Sequence, residues 1–268
     1  MERAFYLFCL ARADLLPELH MAGLSDDQPL SAEEYEGVAA ILCEVPMDEF
    51  SGPSAEARMQ ELSWVGPKAL RHGQVIEEIM QYSPVIPARF GTLFSSVPSL
   101  TQLLKHNLVQ IKTFLDQAAD REEWGIKGSI SKARVKERLF SMKLASRSDE
   151  LAAMSPGVRY FKERQIRSEV DKEMSVWLKR ILKTVFEELS GVSAECRKRE
   201  VCFPSLEGSD SEIVVNWAFF VERQDTETFK ELVQRSNTEN ETSGLLFDLT
   251  GPWPPYSFSP TLDMEPSP

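Results

Sequence analysis

His72 interrupts an apolar helical stripe, and by type it is the side chain best suited to move a proton in this 268-residue chain. Val65, Ala69, His72, Ile76 and Ile79 recur at helical spacing within "WVGPKALRHGQVIEEIMQYS", while Glu77 and Glu78 face elsewhere. An imidazole in that position serves as a general base or as a core histidine bonded to one partner; no nucleophile or electrophile motif accompanies it. Arg89 follows in "PARFGT", between proline-stiffened chain and Gly91. A guanidinium there clamps a carboxylate or phosphate in a bidentate fork, or satisfies loop carbonyls or an internal acid. A third group is the cation run Lys132, Arg134, Lys136 and Arg138, continued by Lys143 and Arg147. It reads as a solvated face, or as a surface for an acidic partner or for the chain's own acidic part, exposed in or beside an interdomain groove.

Other chemistry is missing. No GxxxxGK[ST] loop, GxGxxG turn, HExxH, GxSxG elbow or carboxylate-rich calcium loop occurs. His20, His72 and His106 are widely separated, and Cys196 and Cys202 stand six apart, which is not a zinc-ligand spacing. Cys9 and Cys43 sit in apolar runs, where a thiol behaves as a small hydrophobe. Four reduced thiols, no metal, no cofactor and no nucleotide turnover are the expectation. No apolar run approaches the roughly 18 residues that span a bilayer. The opening "MERAFYLFCLARAD" carries an acid and no cleavage site, so it reads as a first strand, and a cytoplasmic location away from membranes is expected.

Net charge is −12, unevenly spread. Residues 1–120 carry 8 Lys/Arg against 17 Asp/Glu, residues 121–199 carry 19 against 12, and residues 200–268 carry 3 against 13. The middle third is therefore net +7 between flanks of −9 and −10. With this overall charge and no RNP-type aromatic strand, nucleic acid is not an expected partner.

The elements that must position these groups follow from periodicity. "RAFYLFCLA" and "GVAAILCEVP" are short apolar runs suited to buried strands, with a polar loop containing Gly23, Asp26, Asp27 and Pro29 between them. Helices are expected over "SAEARMQEL" and over the His72 segment, with Pro67 in the latter's first turn. Pro84 and Pro87 bracket a short extended piece. "SVPSLTQLLKHNLVQIKTFLDQAAD" follows as an amphipathic helix capped by Ser96 or Ser99. After about Asp120 the pattern restarts: a strand in "REEWGIKGSI", the basic helix, and a long helix from Pro156 to Gly191. Strands in "VSAECRKREVCF" and "SEIVVNWAFFVE", a helix in "TETFKELVQRSN" and a last strand in "SGLLFDLTG" complete it. The fold class is thus α+β in two domains, 1–120 and 121–250. Without its long helical insert the second has the split βαβ, ferredoxin-like order.

"LTGPWPPYSF" (Leu249–Phe258) ends the last folded element with three prolines and three large aromatics. Pro252, Pro254 and Pro255 forbid helix or central strand, while Trp253, Tyr256 and Phe258 are too apolar for a free tail. Residues 251–268 are expected to strap the two domains, running extended to Phe258 with "PARFGT" as a receiving surface.

"PVIPARFGTLF" (Pro84–Phe94) and "LTGPWPPYSF" together resemble the two signature segments of the gas vesicle protein F/L family. "YLFCLA" and "GVRYFKER" (Gly157–Arg164) resemble its opening strand and mid-chain helix. The similarity runs in order along the whole chain, and an F-type member is favoured. It implies a non-enzymatic minor structural or accessory component of gas vesicles, the gas-filled shells that give buoyancy. Such a component binds the small hydrophobic shell protein and other gas vesicle proteins during assembly. It also implies a modified ferredoxin-like C-terminal half and supplies no catalytic residues. Arg89, Gly91, Pro252, Trp253 and Tyr256 then count as structural motif positions, and Lys132, Arg134, Lys136 and Arg138 as partner-binding candidates. The rival readings are an enzyme using His72 and Arg89 in an interdomain cleft, and a scaffold or nucleic-acid binder using the basic helix.

Overall fold

The computed structural model describes residues 2–201 and 211–263, so Cys202 and the end of "SPTLDMEPSP" lie outside the described residues. The chain divides into two compact units, Met1–Glu123 with Trp253–Pro268, and Trp124–Pro252.

In the first unit β1 (Arg3–Arg12) pairs antiparallel with β3 (Val38–Pro46), Tyr6 standing opposite Cys43, with a register shift between Leu7 and Cys9. The sheet order is β2-β3-β1-β4, where β2 is Ser31–Tyr35 and β4 is Val85–Pro87; β5 (Leu93–Phe94) also pairs β1. Strand β2, "SAEEY", falls in a stretch that periodicity leaves as loop. It is an edge strand with no apolar alternation, held by the β2–β3 turn in which Glu36 and Gly37 have φ of 50° and 82°. Side-chain alternation sorts the sheet's two faces. Ala39, Ile41, Cys43 and Val45 join Val75, Ile76 and Ile79 of α3 (Leu62–Met80) in one core cluster. α1 (Met47–Phe50) contributes Phe50 to that cluster, and α2 (Pro53–Met59) leads into α3. Burial pushes the Cys43 thiol up to about 11, which leaves it a neutral core group. α4 (Val97–Ala118) packs on β1–β5 with Leu100, Leu103, Leu104, Ile111 and Leu115 buried. The Ser96 hydroxyl caps α4 by accepting from the Ser99 N–H at 3.3 Å. α3 begins at Leu62, so Pro67 lies inside the helix and not in its first turn.

In the second unit the strand order is β7-β8-β6-β9. β6 (Arg121–Ile130) leads into α5 (Lys132–Ser146), α6 (Ser148–Ala152) and α7 (Pro156–Ser190). β7 (Glu195–Lys198), β8 (Glu212–Glu222), α8 (Thr226–Asn240) and β9 (Leu245–Trp253) follow. The core joins Trp124 and Ile126 of β6, Trp217 and Phe219 of β8 and Phe247 of β9 with Phe229 of α8 and Leu189 of α7. Gly128 permits close approach there: an added Cβ would lie 2.5 Å from Val215 Cγ2 and 3.3 Å from the Phe247 ring. α7, 35 residues long, spans about 52 Å. Its middle packs on α5 through a small seam of Phe140, Ile166 and Val170.

Candidate binding site around His72 and Arg89

His72 is buried, and every polar atom of its ring is engaged. Nε2 lies 3.1 Å from the Ala88 carbonyl, which only accepts, so Nε2 carries the proton. Nδ1 is then an acceptor, and the Tyr6 hydroxyl donates to it at 2.9 Å. The Tyr6 oxygen in turn accepts the Gly91 N–H at 3.2 Å. This chain of bonds fixes one neutral tautomer. The ring stacks on Phe8 at 5.6 Å and meets Phe90 edge-on at 5.8 Å. Burial lowers the His72 pKa, against a smaller upward pull from the Ala88 carbonyl. Burial likewise raises Tyr6 well above the usual phenol range.

The Arg89–Thr92 turn that supplies these partners is specified locally. Gly91 has φ of 83°, the left-handed value a type II turn requires at its third residue. The Arg89 carbonyl accepts from the Thr92 N–H at 3.1 Å and its hydroxyl at 2.7 Å. Strand β1 holds both ends of the turn: Ala88 N–H donates to the Phe8 carbonyl and Leu7 N–H to the Thr92 carbonyl.

The tail reaches the same histidine. β9 carries extended chain to Trp253, through a cis Gly251–Pro252 peptide, as an edge strand where proline costs no ladder bond. The chain then turns and does not stay extended to Phe258: the Phe258 and Ser259 N–H groups both donate to the Pro255 carbonyl. The turn brings the Tyr256 hydroxyl to 3.4 Å from His72 Nε2. Burial of that hydroxyl pushes its pKa up to about 12. Phe258 is buried, whereas Trp253 and Tyr256 are a little under half exposed. Both quoted segments, "PARFGT" and "PPYSF", thus converge on His72.

Arg89 is exposed, and its guanidinium has no acidic partner among the described residues. It borders a cavity of about 360 Å³ on the α4 side of the sheet, walled by Leu7, Ile86, Phe94, Leu103 and Leu262. The basic helix belongs to the second unit, whose own side chains engage most of it. Lys132 pairs with Glu212, Lys136 with Asp171 at 2.7 Å, and Arg138 donates to the Thr242 and Ser243 hydroxyls. Lys143 bridges Glu169 and Glu173, while Arg134 is exposed.

A sequence model of the family described as gas vesicle synthesis protein GvpL/GvpF matches residues 4–260. The chain belongs to this family. It is 24% identical over 261 residues to gas vesicle protein L of Streptomyces sp. (strain CB03234), covering 96% of the chain and 93% of that relative. Its fold is similar to that of GvpF from Anabaena sp. PCC7120, with a TM-score of 0.68 at 19% identity over 96% of this chain and 98% of that one. GvpF from Microcystis aeruginosa gives 0.64 at 16% identity, over 96% and 99%.

Two site residues of this GvpL/GvpF member escape sequence reasoning. Glu123 is buried and accepts both the Ser257 N–H at 2.9 Å and the Ser257 hydroxyl at 3.0 Å. No spacing in "REEWG" marks it. Asn107 clamps the Asp263 backbone through both amide atoms, at 2.9 and 3.1 Å. Here a signal existed: Asn107 interrupts the Leu103, Leu104, Ile111 stripe as His72 interrupts its own. Among the described residues no His/Cys/Asp/Glu group is arranged to hold a metal ion, and no helix is long and apolar enough to cross a membrane.

Proposed function

We propose that this chain is a non-enzymatic accessory or minor structural component of gas vesicle assembly, acting by binding the small hydrophobic shell protein and other vesicle proteins at the vesicle and in the cytoplasm. The observation that carries this is the family match over residues 4–260. The geometry around His72 supports it, because both ring nitrogens are spent on structural bonds and neither is left to move a substrate proton. The cavity beside Arg89 suits a largely apolar protein segment, with Leu7, Ile86, Phe94, Leu103 and Leu262 as apolar wall, hydroxyls of Thr92, Ser259 and Thr261 among them, and the Arg89 cation at its edge. The exposed part of the basic helix, around Arg134, is a secondary surface for an acidic partner. The strand order β7-β8-β6-β9 with helical crossovers supports a modified ferredoxin-like fold for the second domain. The contacts made by Tyr256, Ser257, Phe258 and Asp263 are all with the first unit, and support the reading of the C-terminal segment as a strap fastened there. Co-purification with the small shell protein tests the proposal. The wild-type chain is expected to retain it, and Leu103→Trp, which fills the cavity, to lose it. Equal retention by both would remove the cavity from the reading, and no retention by the wild type would remove the shell protein.

A further inference from the structure

The start of α7 exposes three large apolar side chains that the fold does not use. Val158, Tyr160 and Phe161 are 55%, 61% and 70% exposed. The packed face of this helix is defined by Ile166, Val170 and Met174. At about 100° per residue, Phe161 and Arg164 point away from that face and Tyr160 lies at its flank. The Tyr160 and Phe161 rings meet edge-on at 5.8 Å and form one aromatic knob. Arg164, one turn on from Tyr160 and Phe161, stands beside it exposed and has no ion-pair partner among the described residues. Aromatic and arginine side chains clustered on an exposed face are the composition of interface anchors.

The first unit holds a feature of complementary chemistry. A cavity of about 420 Å³ lies between the loop before β2 and the end of β3, with Pro29, Leu30, Val45 and Pro46 as apolar lining, Asp27 at its edge, and Glu44 there already paired with Arg3. Asp26 precedes this lining, and Glu33, Glu34 and Glu36 follow it along β2 and its turn, all outside the packed core. The wider charge agrees: residues 1–120 are net −9 and residues 121–199 net +7. We propose that the aromatic and cationic start of α7 docks into this acidic groove of a second copy of the chain. Phe161 and Tyr160 fill the apolar lining, and Arg164 meets Asp27 and its neighbouring acids. Donor and acceptor surfaces are different patches, so the contact is heterologous. A pair of copies joined in this way leaves one knob and one groove free for further copies. This inference stands independently of any contact with the shell protein.

Sedimentation velocity on the full chain tests it. The weight-average sedimentation coefficient should rise with protein concentration over about 5–500 µM at low salt, and that rise should shrink at roughly 0.5 M salt as the charges are screened. A knob variant (Tyr160→Ser, Phe161→Ser, Arg164→Glu) and a groove variant (Asp26→Lys, Asp27→Lys, Glu34→Lys) should each remain monomeric. Mixed in equal amounts they should form a dimer that grows no further, since only one intact knob and one intact groove remain in the pair. If a triple variant loses its helical circular dichroism, Phe161→Ala and Asp27→Asn replace it, each weakening association at least about fivefold, roughly 1 kcal/mol. A wild-type chain that stays monomeric throughout overturns the proposal. So does a variant that associates like the wild type, or a mixture that stays monomeric while the wild type associates.

Discussion

At the scale of single residues, the Tyr6–His72 pair is where hydrogen bonding and burial are most tightly joined. Tyr6→Phe keeps the ring in the aromatic cluster, but Gly91 N–H loses its acceptor and His72 Nδ1 its donor. An unsatisfied buried polar group costs about 1–3 kcal/mol, so a loss in that range is expected from urea unfolding with little change in slope. The histidine itself should make stability depend on pH. Its folded-state pKa lies below the ordinary value near 6.5, so the unfolded chain binds the proton more readily. The contribution of neutral His72 is therefore fully present above about pH 6.5 and declines as the pH falls from there towards the lowered folded-state pKa. His72→Gln removes this titrating group. The stability gap between wild type and variant should narrow between about pH 7.5 and 5, and a constant gap in thermal melts across that range would contradict the assignment.

At the scale of elements, most of the architecture is legible because apolar spacing was enough. β6, α5, α7 and β8 lie within a residue or two of the segments their periodicity marks, and Ser96 caps α4 as its position suggests. The exceptions share a cause. β2 is polar along its length and owes its existence to pairing with β3, information that lies in the partner strand and the turn. α3 begins before Pro67 because the chain can forgo one hydrogen bond near the exposed start of a helix that buries His72, Val75, Ile76 and Ile79 further on. The candidate site was legible as ingredients, namely His72, the "PARFGT" turn and the aromatic tail. Their convergence was not, since it depends on separations of 66 residues for Tyr6–His72 and 184 for Tyr256–His72. Gly128 was silent as well, because nothing in "WGIKGSI" announces that Val215 and Phe247 close over it. Gly128→Ala should overpack this junction of β6, β8 and β9 and destabilise by about 1–3 kcal/mol, measured as a lowered denaturant midpoint. A midpoint equal to the wild type's would mean that Val215 moves aside freely.

At the scale of the whole molecule, the chain enters the second unit along β6 and leaves it along β9, and the segment after β9 is fastened to the first unit. That fastening combines a buried Phe258 ring, two donations from Ser257 to Glu123, and the Asn107 clamp on Asp263. Burying a phenylalanine is worth about 1.5–3 kcal/mol. Stranding part of the Glu123 carboxylate's hydrogen bonding adds about 1–3 kcal/mol. Ending the chain after Trp253, which keeps β9 whole, should therefore cost several kcal/mol and lower the melting temperature of the first unit by about 10 °C. Tyr6→Phe supplies an internal control, because its bonds to Gly91 and His72 do not pass through the tail. Its cost should be nearly the same in the shortened chain as in the full one, within about 0.5 kcal/mol. A shortened protein that melts with the full-length chain yet no longer retains its partner would make the segment a displayed ligand. One that melts lower and also loses the cost of Tyr6→Phe would mean that the tail organises the His72 site instead of resting on it.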